Sequence, residues 1–84
     1  LGDVYKRQQL LELLAKRMRI SREIGVYKKE HNMPILQSPR YSEILEKRSN
    51  MGEQMDLSTD FVKEILKEIH EESVRQQMII MNEQ

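Results

Sequence analysis

Eighty-four residues make one small domain at most, and 14 basic against 14 acidic side chains leave a formal net charge of zero, which argues against nucleic acid as a partner. The absence of cysteine rules out disulfides, a thiol nucleophile and thiolate metal sites. Charged residues at 33% and aromatics at 5% suit exposed helices rather than a β-sandwich, and no apolar run nears the ~18 residues of a membrane span, so the reading is a soluble, cytoplasmic chain.

Residues 1–9, LGDVYKRQQ, fit poorly with the helical pattern that begins at Leu10. There is no initiator Met, and Asp3 and Lys6 fall where the downstream apolar stripe, extended backward, calls for hydrophobic side chains. The expectation is a cut end or a foreign junction over about residues 1–7 of a single 1–84 helical domain.

The first helix is expected from near Asp3 to about His31, with Leu10, Leu13, Leu14, Met18, Ile24 and Tyr27 recurring at helical spacing. At 1.5 Å per residue it is roughly 40 Å long, more than the rest of the chain can cover. A second copy is the simplest packing partner. Gly25, inside the helix, predicts a close helix–helix approach. Arg17 and Lys28 interrupt the apolar surface and lie within roughly 20° of each other around the axis. Cations on a core-facing side cost stability unless an anion sits between them. On spacing alone the better reading is blander: two cations reaching toward solvent along a helix edge.

His31-Asn32-Met33-Pro34 ends this helix, and Pro34 to Gln37 is a short connector. Ser38-Pro39 is a start signal for a second helix, about Pro39 to Met51, that stops near Gly52. Ser58 can cap a third helix, about Thr59 to Asn82, with Leu57 and Val62 placed for a hydrophobic staple. Along that helix Phe61, Ile65, Ile69, Ser73, Gln77 and Met81 form one row that turns polar at Ser73 and Gln77. Long, short and long helices with no strand signal make an all-α fold. The six Met are gap-fillers in core or interface. His31 and His70 have no spaced partner, so no metal site is expected.

The inward polar residues are then Arg17, Lys28, Arg40, Ser73 and Gln77. This set is rich in cations and hydrogen-bond donors, with no carboxylate and no nucleophile backed by a base. It is poorly suited to hydrolysis or acid–base chemistry. It suits binding a small dianion and stabilising negative charge that develops on an oxygen. A unimolecular rearrangement needs little else, because positioning and electrostatics suffice.

LLELLAKRMRISREIGVYKKEHNMPI, then SPRYSEILE, then FVKEILKEIHEESVRQQ, together resemble the all-helical class of chorismate mutases over about residues 8–84. The ordered set carries the likeness: an arginine and a lysine eleven apart, the proline loop, an arginine entering the second helix, and ES-V-R-Q-Q on the third. It is also similar to the mutase domains fused to 3-deoxy-7-phosphoheptulonate synthases. The resemblance implies an intertwined homodimer with two shared active sites, and cofactor-free conversion of chorismate to prephenate in the shikimate pathway of aromatic amino acid biosynthesis. By the same resemblance Arg17 binds a substrate carboxylate, Lys28 donates to the ether oxygen of the breaking bond, and Gln77 sits on that oxygen's other side. Arg40 and Ser73 match helpers around the carboxylates.

Gln37 stands where the family usually has an acidic residue against the substrate hydroxyl, and Tyr41 replaces a glutamate that often makes a similar contact. A family arginine that reaches into the partner's site would fall just before Leu1; Arg7 shares its face but lies about 10 Å further along. Activity of the chain as given would then be impaired. Two other readings fit the same scaffold: a non-catalytic dimerisation module regulating a fused synthase, and a lyase releasing pyruvate from isochorismate.

Overall fold

The computed structural model describes residues 2–35 and 38–83, the side chains of residues 38–40 excepted. It contains three helices: α1 (Gly2–Glu30), α2 (Ser38–Gln54) and α3 (Thr59–Asn82). Among the described residues there is no strand, and no helix is long and apolar enough to cross a membrane.

The first two helices end in the same way. At the end of α1, Asn32 adopts a left-handed φ of 53°, Asn32 N donates to Lys29 O at 3.4 Å, and Met33 N donates to Lys28 O at 2.8 Å. At the end of α2, Asp56 takes φ 65°, with Asp56 N on Glu53 O at 3.0 Å and Leu57 N on Gly52 O at 2.9 Å. This paired return of two N–H groups satisfies carbonyls that the helix leaves bare, and Asn and Asp tolerate the left-handed residue it needs. The start of α3 is held by Ser58, whose Oγ accepts from Phe61 N at 3.4 Å.

The second helix runs on to Gln54 rather than stopping near Gly52. Asp56 supplies the stop, and Gly52 serves packing instead. A Cβ at Gly52 would lie 2.7 Å from Val62 Cγ2, so the missing side chain is what lets the end of α2 meet the start of α3.

α3 is the central element, with α1 and α2 each packed on it. α2 and α3 form an antiparallel hairpin, Gly52 meeting Val62 at one end and Tyr41 meeting His70 at the other. α1 runs parallel to α3. Ser21 meets Ser73, Gly25 meets Gln77, and Lys29 reaches Ile80, so position rises along both helices together. Gly25 is buried, and a Cβ there would lie 3.2 Å from Gln77 Cα, the close approach its place in the helix predicts. Lys29 Nζ also donates to Ile80 O and Glu83 O, closing the last turn of α3 with a cation.

The burial pattern is inverted relative to an ordinary globule. Among the described residues no large hydrophobic side chain is buried, whereas Ser21, Ser49 and Gln77 are. The radius of gyration is 14.9 Å, against about 12 Å expected of a compact chain of this length.

Candidate active site

α1 and α2 both lean on α3, and between them lies a cavity of about 240 Å³. α1 contributes Arg17 and Lys28, and the connection after it contributes Ile35. α2 supplies Tyr41, Ile44 and Leu45. The wall from α3 is apolar at Leu66, Ile69 and Val74, and polar at His70, Ser73 and Gln77. None of the described lining residues is Asp or Glu.

Lys28 is half-buried on the last turn of α1. Its Nζ donates to Ile35 O at 2.8 Å and to Gln77 Oε1 at 3.2 Å. The turn at Asn32 is what brings Ile35 back over this residue, so the helix stop also positions the ammonium. Burial pushes the Lys28 ammonium below the ordinary lysine range, since desolvation disfavours the charged form. Gln77 is buried and turns its amide nitrogen to Ser73 Oγ at 3.2 Å. A lysine has three ammonium protons and a glutamine amide two, so each retains one beyond these bonds.

Arg17, Lys28, Ser73, Gln77 and Tyr41 thus line one cavity. Arg17 is exposed, at the cavity's edge. Among the described residues the ion pairs are Asp3–Arg7 and Glu72–Arg75, so neither Arg17 nor Lys28 is matched by a carboxylate. Arg7 is exposed, is held by Asp3 at 2.9 Å, and does not line the cavity. Gln37 and the side chain of Arg40 lie outside the described residues. No group of three or more metal-ligating side chains occurs among the described residues.

Two lining or supporting residues escape a reading of the sequence. His70 stacks on Tyr41 with ring centroids 3.8 Å apart and planes 19° apart, pinning the Tyr41 ring across the α2–α3 hairpin. Ser21, buried under the Arg17–Lys28 face, hydrogen-bonds Ser73 at 2.6 Å. A signal for Ser21 does exist: Arg17, Ser21 and Gly25 are successive members of one four-residue row, which can face the Ser73–Gln77 row of α3.

This arrangement holds two donors on one cavity, with a guanidinium at its edge and no carboxylate among the described lining residues. It can bind an anion and stabilise charge on an oxygen. Comparison with known proteins agrees with that chemistry. The chain is 33% identical over 75 residues to a bifunctional chorismate mutase/prephenate dehydratase of Buchnera aphidicola, covering 89% of this chain and 20% of that protein. It is 31% identical over 64 residues to a T-protein of Enterobacter agglomerans, covering 76% and 17% respectively. Against a T-protein of Haemophilus influenzae it is 29% identical over 66 residues. The chain therefore spans about a fifth of the length of the curated relatives it matches. Residues 8–78 match the chorismate mutase type II family, whose span takes in every residue of the cavity, and the chain belongs to that family.

Proposed function

We propose that the chain is a chorismate mutase, an isomerase that binds the dicarboxylate chorismate and rearranges it to prephenate in aromatic amino acid biosynthesis. The observation that carries this is the Lys28–Gln77 pair: Lys28 Nζ donates to Gln77 Oε1 at 3.2 Å, and the ammonium and the amide each keep a proton to give, on a cavity whose described lining has no carboxylate. In this reading the bridging ether oxygen of the substrate receives both protons as hydrogen bonds. Negative charge grows on that oxygen as its bond to carbon breaks, so both bonds strengthen in the transition state. Arg17 takes a carboxylate as a charge-assisted pair, and the apolar wall of α3 holds the substrate folded. Ser73 and Arg40 complete substrate binding by the family resemblance, with Gln37 and Tyr41 at the positions where the family contacts the substrate hydroxyl. No cofactor or metal enters the step.

The working unit in this reading is a cytoplasmic homodimer. The chain exposes 7078 Å² of surface, against about 5,300 Å² for a compact monomer of its size. Part of the exposed apolar surface lies along α1, where Val4, Leu10, Leu11 and Leu13 are 58–70% exposed. A second copy that interleaves its own α1 covers such a face and brings its residues to the shared sites. Within a longer protein the module is joined to another enzyme, such as the 3-deoxy-7-phosphoheptulonate synthase of the sequence resemblance; the Buchnera relative carries a dehydratase in its name instead.

The test is loss of chorismate absorbance with this chain, with its Lys28→Ala variant, and with a form extended by one amino-terminal helical turn bearing an arginine. Turnover to prephenate that disappears in the variant supports the mutase. Turnover in the variant equal to that of the parent points to a binding or regulatory module. Pyruvate released from isochorismate, with chorismate untouched, assigns the lyase.

A further inference from the structure

Around the proposed site, five polar groups form one continuous chain of hydrogen bonds, and its direction can be worked out from chemistry alone. Ser21 Oγ lies 3.0 Å from Arg17 O, and a backbone carbonyl can only accept, so the Ser21 proton is committed there. The 2.6 Å contact between Ser21 and Ser73 must then take its proton from Ser73. With that proton used, Ser73 Oγ accepts from Gln77 Nε2 at 3.2 Å. The Gln77 amide is thereby oriented with its oxygen toward Lys28 Nζ, at 3.2 Å, which is a donor only. Every link is polarised the same way, and the helix carbonyl of Arg17 is its fixed end.

We infer that Ser21 is a positioning residue: its hydroxyl, anchored on the Arg17 carbonyl, sets the direction of the chain through Ser73 so that Gln77 keeps an amide N–H, not its carbonyl, for the ligand oxygen. This rests on the mutase reading and deepens it. Glutamine offers a donor and an acceptor on nearly identical arms, and only the donor helps an oxygen that is becoming negative. Without Ser21, Ser73 is free to turn its proton to Gln77 Oε1, and the amide can rotate. A carbonyl facing the developing charge would then oppose the reaction. The chain also ties four site residues, Arg17, Ser73, Gln77 and Lys28, to one another, because the carbonyl that fixes it belongs to Arg17.

Ser21→Ala tests this with little disturbance, since alanine is no larger than serine and is a better helix former. The first measurement is the pair of Gln77 side-chain amide resonances in ¹⁵N-labelled protein, made in the parent, Ser21→Ala, Ser73→Ala and the double variant. The expected result is a clear shift of the Gln77 pair in Ser21→Ala and no additional shift from Ser21→Ala once Ser73 is alanine. The second measurement is turnover of chorismate: kcat falls about three- to tenfold in Ser21→Ala, the scale of one hydrogen bond, with KM within twofold. That loss also vanishes in the Ser73→Ala background, as coupled neighbours require. Gln77 resonances unmoved by Ser21→Ala overturn the inference, and so does a shift that is the same with or without Ser73. If the parent chain neither turns over nor binds chorismate, the mutase reading fails while the resonance measurement still decides the role of Ser21.

Discussion

The two halves of α1 belong to one continuous helix and behave as different molecules. From Arg17 onward it lies on α3 through Ser21, Gly25, Lys28 and Lys29, and what it buries there is polar. From Gly2 to Leu13 it stands clear of the other helices, and its apolar side chains Val4, Tyr5, Leu10, Leu11 and Leu13 are 58–70% exposed. A folded chain ordinarily does the reverse. The contrast separates two surfaces: the second half lines the cavity, and the first half presents an apolar face that the described residues leave bare.

That division can be broken most severely at Lys28. Lys28→Ala is expected to lower kcat/KM by about a hundredfold or more, the scale of losing one preorganised donor, with the far-ultraviolet spectrum unchanged. Next in size, charging the bare half with Leu10→Asp and Leu13→Asp together should weaken self-association by several hundredfold, since each leucine contributes about 2 kcal/mol when covered. Analytical ultracentrifugation reads this directly, and an unchanged assembly would show that the bare face is not the interface. Gly25→Ala attacks the half that lies on α3. Its Cβ would press on Gln77 Cα and Ile80 Cβ at 3.2 and 3.3 Å, so a loss of about 1–3 kcal/mol in urea unfolding is expected, together with lower turnover.

The pH profile sharpens the same contrast more gently. Lys28 must be protonated to donate, and burial makes its ammonium give up its proton at lower pH than an exposed lysine. The rate should therefore hold flat through the carboxylate range, because Gln77 has nothing to titrate, and fall on the alkaline side below the ordinary lysine range. A fall across the acidic range, as for an enzyme relying on a protonated carboxyl, would contradict the assignment of Gln77. Smallest of all, Tyr41→Phe keeps the stack on His70 and loses only a hydroxyl, so KM for chorismate should rise a few-fold, about the value of one neutral hydrogen bond.

How much of this the sequence discloses depends on the range of the interaction. Helix ends are legible because they are local: Asn32 before Pro34 and Ser58 before Thr59 each act within a few residues of themselves. Gly25 is legible as a close approach because a glycine in an otherwise good helix has few other reasons to be there. Gly52 misleads for the same reason turned round. Near a helix end, glycine signals a stop, and only the position of Val62 reveals that its bareness is for packing. Arg17, Lys28 and Gln77 stand out as cations and amides in apolar rows. His70 does not, since it matters through Tyr41 on another helix, and Ser21 is marked only by its place in the row between Arg17 and Gly25, its partner Ser73 lying on another helix.

The shared direction of α1 and α3 bears on how a dianion is held. Two helices that point the same way bring two carbonyl-bearing ends to one side of the molecule, each equivalent to about half a negative charge. An approaching anion is repelled there by the peptide backbone itself. Lys28 on the Ile35 carbonyl and Lys29 on the Ile80 and Glu83 carbonyls cancel part of that field. The net pull on a ligand is therefore weaker than a tally of cations suggests, and it is Arg17, set further from those ends, that is left to draw the anion in.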